Sequence, residues 1–368
     1  MQDITKFVGL DVSKDSISVA IADAGREAPR YFGEVAHTPE AIRKLIAKLG
    51  KAAEIEACYE AGPTGYGLQR LLTQLGVRCI VVAPSLIPKR PGERIKTDRR
   101  DSLRLAQLLR AGELTSVHVP TEDDEAIRDL VRAREDANEN LLQARHRLSK
   151  FLLRHDIHPP TKMTNWKTQH KKWLGTLKFE NPYLKITFQE YLHAIDEIEL
   201  RLQRLEKVMH EFATSSPQTP LIEALQTLKG VKEVTAVTLV AEIGDFRRFT
   251  NPRHLMGYTG LVPSEHSSGV TRRQGGITKA GNTHIRRVLV EAAWSYRHQP
   301  ALKGDVRKRQ EGQSSTIQQI SWKAQNRLHR KYVRLVSKGK PANKAITGVA
   351  RELAGFIWAI ANSVGQRA

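Results

Sequence analysis

The sequence predicts a mixed α/β domain, then a coiled-coil helical region, then a mainly α-helical C-terminal domain. Three observations predict it. Near the N-terminus, strand-like segments come first in a meander and then alternate with helix-like segments. From Thr121 to Ile157 there is no proline or glycine. A Ser/Thr/Pro-rich stretch, "ATSSPQTP" (Ala213–Pro220), then leads into a glycine-rich, basic remainder. A chain of 368 residues is too long for one small domain. We expect domains at 1–120, 121–214 and 215–368.

Each element has its own signal. "KFVGLDVSKDSISVAIAD" reads as two strands around a polar turn at Ser13–Asp15, and "RYFGEVAHT" as a third. "TPEAIRKLIAKLG" has helix punctuation: Thr38 to cap, Pro39 in the first turn, apolar residues at helical spacing and Gly50 as the stop. "EIEACYEA" is a strand, "GYGLQRLLTQLG" a helix and "VRCIVVAPS" a strand. Ile127, Leu130, Ala137, Leu141, Ala144, Leu148 and Phe151 fall near a heptad seam that Arg134 interrupts. "HDIHPPTKMTNWKTQHKKWLGTLKFENP" reads as a loop. Tyr191, Ile195, Ile198, Leu202, Leu205, Met209 and Phe212 then alternate in steps of four and three, a second coiled-coil seam. Two such helices make an antiparallel hairpin, a dimerising arm or part of a plain bundle. Beyond the linker, two helical stretches flank the Lys229-Gly230-Val231 turn, as in a helix–hairpin–helix. "ELAGFIWAIANSVG" reads as a short core helix.

Lys and Arg number 59 against 39 acidic residues, a formal net charge of +20. A clustered excess of that size points to a polyanion, usually nucleic acid. The stretch "ISWKAQNRLHRKYVRLVSKGKPANKA" is strongly cationic. Cys58 and Cys79 have no zinc spacing and no disulfide framework, so core packing in a reducing compartment is expected. With no secretory pattern and no apolar run long enough to span a membrane, the cytoplasm is the default location.

The acidic residues carry the chemistry. Asp11 sits in an otherwise apolar first strand, where an uncompensated charge is costly. Glu60 ends the strand "ACYEA" before a Gly-Pro turn. Asp98 and Asp101, in "IKTDRRDSLRLAQLLRAG", open a helix and share a face. Taken alone, the pair reads as a capping box and Asp11 as a turn residue. Together, four carboxylates on two strand ends and one helix start suit hard divalent cations, Mg²⁺ first. Two such ions can clamp the attacking and leaving oxygens of a phosphodiester. Arg94, Lys96, Arg99 and Arg100 would then face the phosphate backbone.

At these residues a resemblance emerges. "GLDVSKDSISVAI", "YEAGPTGYGLQRLL" and "KTDRRDSLRLAQLLRAG" resemble the RuvC-like (RNase H-like) DEDD domain of a family of insertion-sequence transposases. That family includes the Piv-type DNA invertases and the bridge-RNA-guided recombinases. "LKGVKEVTAVTLVAEIGDFRRFTNPRHLMGYTGLVPSEHSSG" and "GGITKAGNTHIRRVLVEAAW" resemble its C-terminal transposase domain. The resemblance implies a DEDD set at Asp11, Glu60, Asp98 and Asp101, and a catalytic serine at Ser268 before Gly269, with Ser267 beside it. It implies cutting and rejoining of donor and target DNA through a phosphoserine link and an element-encoded bridge RNA. The seam from Tyr191 to Phe212 adds the expectation of a homo-oligomer, a dimer or a synaptic tetramer. Arg272, Arg273, Lys279, Arg286 and Arg287 are the expected nucleic-acid contacts beside the serine. Without the resemblance, Ser268 reads as a turn serine. A metal-dependent nuclease of the Holliday-junction-resolvase type would need the carboxylates but not Ser268. A basic nucleic-acid-binding scaffold would need neither.

Overall fold

The computed structural model describes residues 3–88, 97–160, 163 and 166–364. The chain divides into two compact units, Met1–Pro120 and Thr121–Ala368.

The first unit is built on a five-stranded sheet in the order β3-β2-β1-β4-β5. Strands β1 (Lys6–Val12), β2 (Ser16–Asp23) and β3 (Arg30–Ala36) form an antiparallel meander, with Asp11 opposite Ser18. Helix α1 (Pro39–Leu49) follows, capped by the Thr38 hydroxyl and stopped at Gly50. Strands β4 (Ile55–Glu60) and β5 (Arg78–Val82) lie parallel to β1, joined by α2 (Gly67–Gln74). Period-two alternation sorts the side chains between two faces. Val8, Leu10, Val19, Ile21, Ala57 and Tyr59 share one core with the apolar sides of α1 and α2. The other face, with Ala20, Ala22 and Cys58, receives α3 (Asp98–Arg110) through Leu105 and Ala106. Gly9 permits that contact. A Cβ there would lie 2.3 Å from the Ser102 carbonyl oxygen and 2.4 Å from the Ala106 nitrogen. Cys58 is buried, and desolvation lifts its thiol well above the ordinary range, which suits a packing role.

The second unit begins with α4 (Glu122–Arg154), followed by α5 (Thr168–Thr176) and α6 (Pro182–Ser215). α4 and α6 form an antiparallel hairpin within one chain. Arg134 pairs with Glu206, Arg145 with Glu199, and Phe151 meets Phe188, so positions rise along one helix as they fall along the other. Leu141, Leu148, Ile195 and Leu202 are buried between them, with Ile198 and Leu205 packed at the side. Arg134, the break in the predicted seam, makes a cross-hairpin ion pair. The stretch read as a loop carries α5. His170 and Leu174 bury against the hairpin, and tertiary packing stabilises a helix too short to announce itself by periodicity.

Thereafter α7 (Thr219–Gln226) and α8 (Glu233–Ile243) flank the Gly230 turn. α9 (Pro252–Tyr258) precedes a two-stranded hairpin, β6 (Pro263–Glu265) and β7 (Gln274–Ile277), which the sequence did not predict. α10 (Thr283–Ala293), α11 (Asp305–Lys308), α12 (Ser315–Ser337) and α13 (Ala342–Val364) complete the chain. α13 is the expected core helix, with Ile346, Val349, Leu353, Ile357 and Ile360 fully buried. Val131, Met209 and Ala213 join the same core, so the base of the hairpin is part of it. Among the described residues no helix is long and apolar enough to cross a membrane.

Candidate active site: carboxylates at one sheet end and a serine hairpin

The sheet register fixes where the first two carboxylates fall. β1 and β4 run parallel with Leu10 beside Tyr59, so the next residues, Asp11 and Glu60, reach the same end of neighbouring strands. Asp11 shares the face of Gly9 and Glu60 that of Cys58, two residues earlier in each strand. That is the α3 face, because Gly9 touches α3 and the Cys58 thiol donates to the Leu105 carbonyl at 3.7 Å. α3 runs antiparallel to β1. At its C-terminal end, Arg110 donates to the carbonyls of Asp23 and Glu27, and Asp23 pairs with Lys6 at the start of β1. Its N-terminal turn, with Asp98 and Asp101, therefore lies toward the end of β1 that carries Asp11.

The capping alternative for the two aspartates is answered by Thr97. Its hydroxyl accepts the Arg100 N–H at 3.3 Å and caps α3, which leaves Asp98 and Asp101 in the first turn without that duty. Asp98 is exposed. Asp101 is half-buried, and its Oδ2 is buried with no hydrogen-bond partner among the described residues. A buried, unbonded carboxylate oxygen costs free energy and is rare. As the side chains stand, no three acidic, histidine or cysteine residues among those described are grouped closely enough to hold a metal ion. The backbone thus brings the four positions to one end of one sheet face, and the carboxylates themselves stand apart. Like charges gather tightly only around a cation.

Around this end, Arg99 lies over the Tyr31 ring at 5.2 Å and Arg100 is exposed. Arg94 and Lys96 lie outside the described residues.

The predicted serine sits on the β6–β7 hairpin. Ser268 and Thr271 exchange backbone hydrogen bonds of 3.2 and 3.1 Å, closing a two-residue turn at Gly269 and Val270. Gly269 takes φ +56°, a conformation that L side chains adopt at a cost. The neighbouring serines differ. Ser267 donates to Glu265 Oε1 at 2.9 Å and accepts the Arg273 N–H at 3.3 Å. The Ser268 side chain is exposed, and its hydroxyl has no hydrogen bond among the described residues. Glu265, which the sequence reading did not single out, ties the hairpin together. It also accepts from Gln274 at 3.1 Å and pairs with Arg272 at 3.3 Å. Hydrogen bonds from Gln274, Ser267 and Arg272 hold its carboxyl below the usual range. No local pattern in "SEHSSG" marks which carboxylate would do this.

Arg273 and Lys279 are exposed, as is Arg272 beside Glu265. Arg286 and Arg287 point inward. Arg286 donates to the Thr259 carbonyl at 3.0 Å, and Arg287 donates to Glu135 at 2.6 Å and pairs with Glu291. A second network missed from sequence lies beneath. Glu242, fully buried, accepts two bonds from Arg132 at 2.8 and 3.0 Å and one from Asn282 at 2.6 Å. Asn282 in turn caps α10. Nothing in the local sequence marks Glu242; only the fold shows it buried and paired.

Comparison with known proteins finds family matches in both halves of the chain. Residues 8–157 match a DEDD-type IS110 transposase model, and residues 222–307 match the "Transposase IS116/IS110/IS902 family". A Sinorhizobium fredii protein named "Putative transposase y4qE" is 47% identical over 98% of this chain and 89% of its own length. The transposase for insertion sequence element IS1533 of Leptospira borgpetersenii is 35% identical over 91% of this chain and 97% of its own. A mixed sheet with a DEDD match is the RuvC-like fold, and the chain belongs to the IS110/IS116 family of insertion-sequence transposases.

Proposed function

We propose that the protein is a site-specific recombinase that cuts and rejoins DNA through Ser268, assisted by Mg²⁺ at Asp11, Glu60, Asp98 and Asp101 and guided by an element-encoded bridge RNA. The observation that carries the metal-assisted reading is Asp101. Its buried, unbonded Oδ2 lies on the helix turn directed at the strand end of Asp11, beside Glu60. An all-oxygen carboxylate set fits a hard divalent ion. Bound there, Mg²⁺ supplies neutralisation of charge on the phosphodiester oxygens.

The chain's own groups account for the rest. Ser268 Oγ attacks phosphorus; the Oγ–P bond forms as a bridging P–O bond breaks. The serine proton passes to a carboxylate, and the released DNA end leaves as a hydroxyl after gaining a proton. Attack by a partner strand's hydroxyl reverses the exchange, restores Ser268 and joins the strands without loss of phosphodiester energy. The two parts of the site act on one phosphodiester, from one copy or from two copies in a dimer or synaptic tetramer. Arg272, Arg273 and Lys279 support the phosphate near the serine, and Arg99 and Arg100 support it near the carboxylates. Arg94 and Lys96 belong to the same basic approach. Bonds within the fold leave Arg286 and Arg287 to steady α10 against α9 and α4.

A recombination assay on donor and target plasmids tests this reading. Product should require divalent metal, the element RNA and Ser268. Recombination by Ser268→Ala protein, or by RNA-free protein in EDTA, would overturn it.

A further inference from the structure

A basic groove in the second unit lies on α12, and no residue of the serine hairpin lines it. Residues 319–334 of this helix put a row of polar and aromatic side chains on one face at steps of three and four. That row is about 22 Å long at helical rise. Trp322 is 43% exposed there. It lines a groove of about 860 Å³ together with Lys323, Arg327, Arg330, Lys331 and Arg334, five cations against the single carboxylate of Glu352. Glu352 does not neutralise the face so much as arrange it. It accepts from Arg327 at 2.9 Å and from Lys331 at 2.7 Å. Burial alone would raise its pKa, but those two hydrogen bonds outweigh burial and hold it ionised. Arg330 is steadied by its own bond to the Asn326 carbonyl at 3.2 Å. The opposite side of α12, with Ile317, Ala324 and Leu328, is buried in the core, so the groove is held rigidly.

An exposed indole flanked by a cation row has a definite chemistry. Cations alone would serve any phosphate backbone. A tryptophan gains from a nucleic acid only when a base is free to stack on it, and the bases of duplex DNA are already stacked. Unpaired, splayed bases are the usual target of RNA recognition. We infer that the α12 groove binds an unpaired RNA segment, one base stacking on Trp322 while Arg327, Arg330 and Arg334 follow its phosphates. That the strand is RNA rests on the guided reading above; that it is unpaired rests on Trp322.

The test uses the full-length protein, purified free of nucleic acid. Fluorescence anisotropy would measure binding to labelled oligouridylate, oligothymidylate and blunt duplex DNA of equal length. Trp322→Ala should weaken oligouridylate binding about tenfold and change duplex binding less than about twofold. Trp322→Phe, which keeps a stacking ring, should restore most of the loss. Arg330→Ala should lower the salt slope on the single strand by about 0.7. Unchanged oligouridylate binding by Trp322→Ala, or an equal loss on duplex, would overturn the inference. So would tighter, Trp322-dependent binding of oligothymidylate than of oligouridylate. The outcomes separate from those of the guided reading. If RNA-free protein recombines fully but Trp322→Ala loses its oligouridylate affinity, the groove stands and guidance falls. If recombination needs RNA and Trp322→Ala binds like the parent, the groove assignment falls and guidance stands.

Discussion

The carboxylate region and the serine hairpin are built in opposite ways. Asp11, Glu60, Asp98 and Asp101 come from three distant segments, and strand register and the packing of α3 on Gly9 bring their backbone positions to one end of one sheet face. The serine hairpin is local: Glu265, Ser267, Arg272 and Gln274 bind one another within ten residues, on an exposed two-stranded turn. The first region draws its precision from a buried core. The second holds its own shape and leaves Ser268 exposed at the turn. A metal-binding set needs fixed, converging oxygens, whereas a nucleophile that carries a DNA end between partners gains from an accessible perch.

If that contrast is right, the largest effect should come from the core-built region. Asp101→Asn should lower metal-dependent strand cleavage by about 10³-fold or more. It should leave thermal stability equal or slightly higher, because it removes a half-buried charge. A titration with Mg²⁺ read by cleavage, beside a melting curve, measures both. Next is the frame beneath the serine hairpin. Glu242→Ala removes the buried carboxylate that pairs with Arg128 and Arg132 and accepts from Asn282, and should destabilise the second unit by about 3–5 kcal/mol. Hydrogen exchange should then rise across 121–364 and stay unchanged across 3–88, which would show that the two regions are stabilised separately.

The same contrast explains what could be read from sequence. The strands and helices of the first unit follow from period-two and helical patterns with capping residues in place, and the structure has them where expected. The four acidic positions drew attention because charges in apolar strand ends and a helix start stand out. Thr97 as the actual cap was one residue away from the pair that drew attention. The β6–β7 hairpin was not legible, since "PSE" and "QGGI" are too short and too polar for a strand pattern. Glu265 and Glu242 do opposite jobs, exposed clamp and buried anchor, and nothing in local composition distinguishes them. Burial and pairing of that kind are set by distant residues, Arg132 and Asn282 for Glu242.

Two smaller effects sharpen the comparison. Gly9→Ala places a methyl against the Ser102 and Ala106 backbone, so α3 must shift, at a cost of about 2 kcal/mol. Chemical denaturation should show that loss, and cleavage should fall with it because the acidic turn of α3 moves away from β1. Glu265→Gln should be milder. Its contacts are exposed, so the melting temperature should not move, while recombination falls about tenfold as Arg272 and Ser267 lose their anchor. Equal loss of stability in both variants would erase the distinction between a core-built and a self-built region.

If Ser268, rather than water, takes the phosphate, the intermediate is a protein–DNA ester that can be caught. A labelled duplex nicked near the cut site should trap a protein–DNA adduct on a denaturing gel, and mass spectrometry of the digested adduct should place it. An adduct on Ser268 should survive Ser267→Ala and disappear in Ser268→Ala. Recombination at parental levels by the Ser267→Ala, Ser268→Ala double variant, with no adduct on any residue, would contradict it.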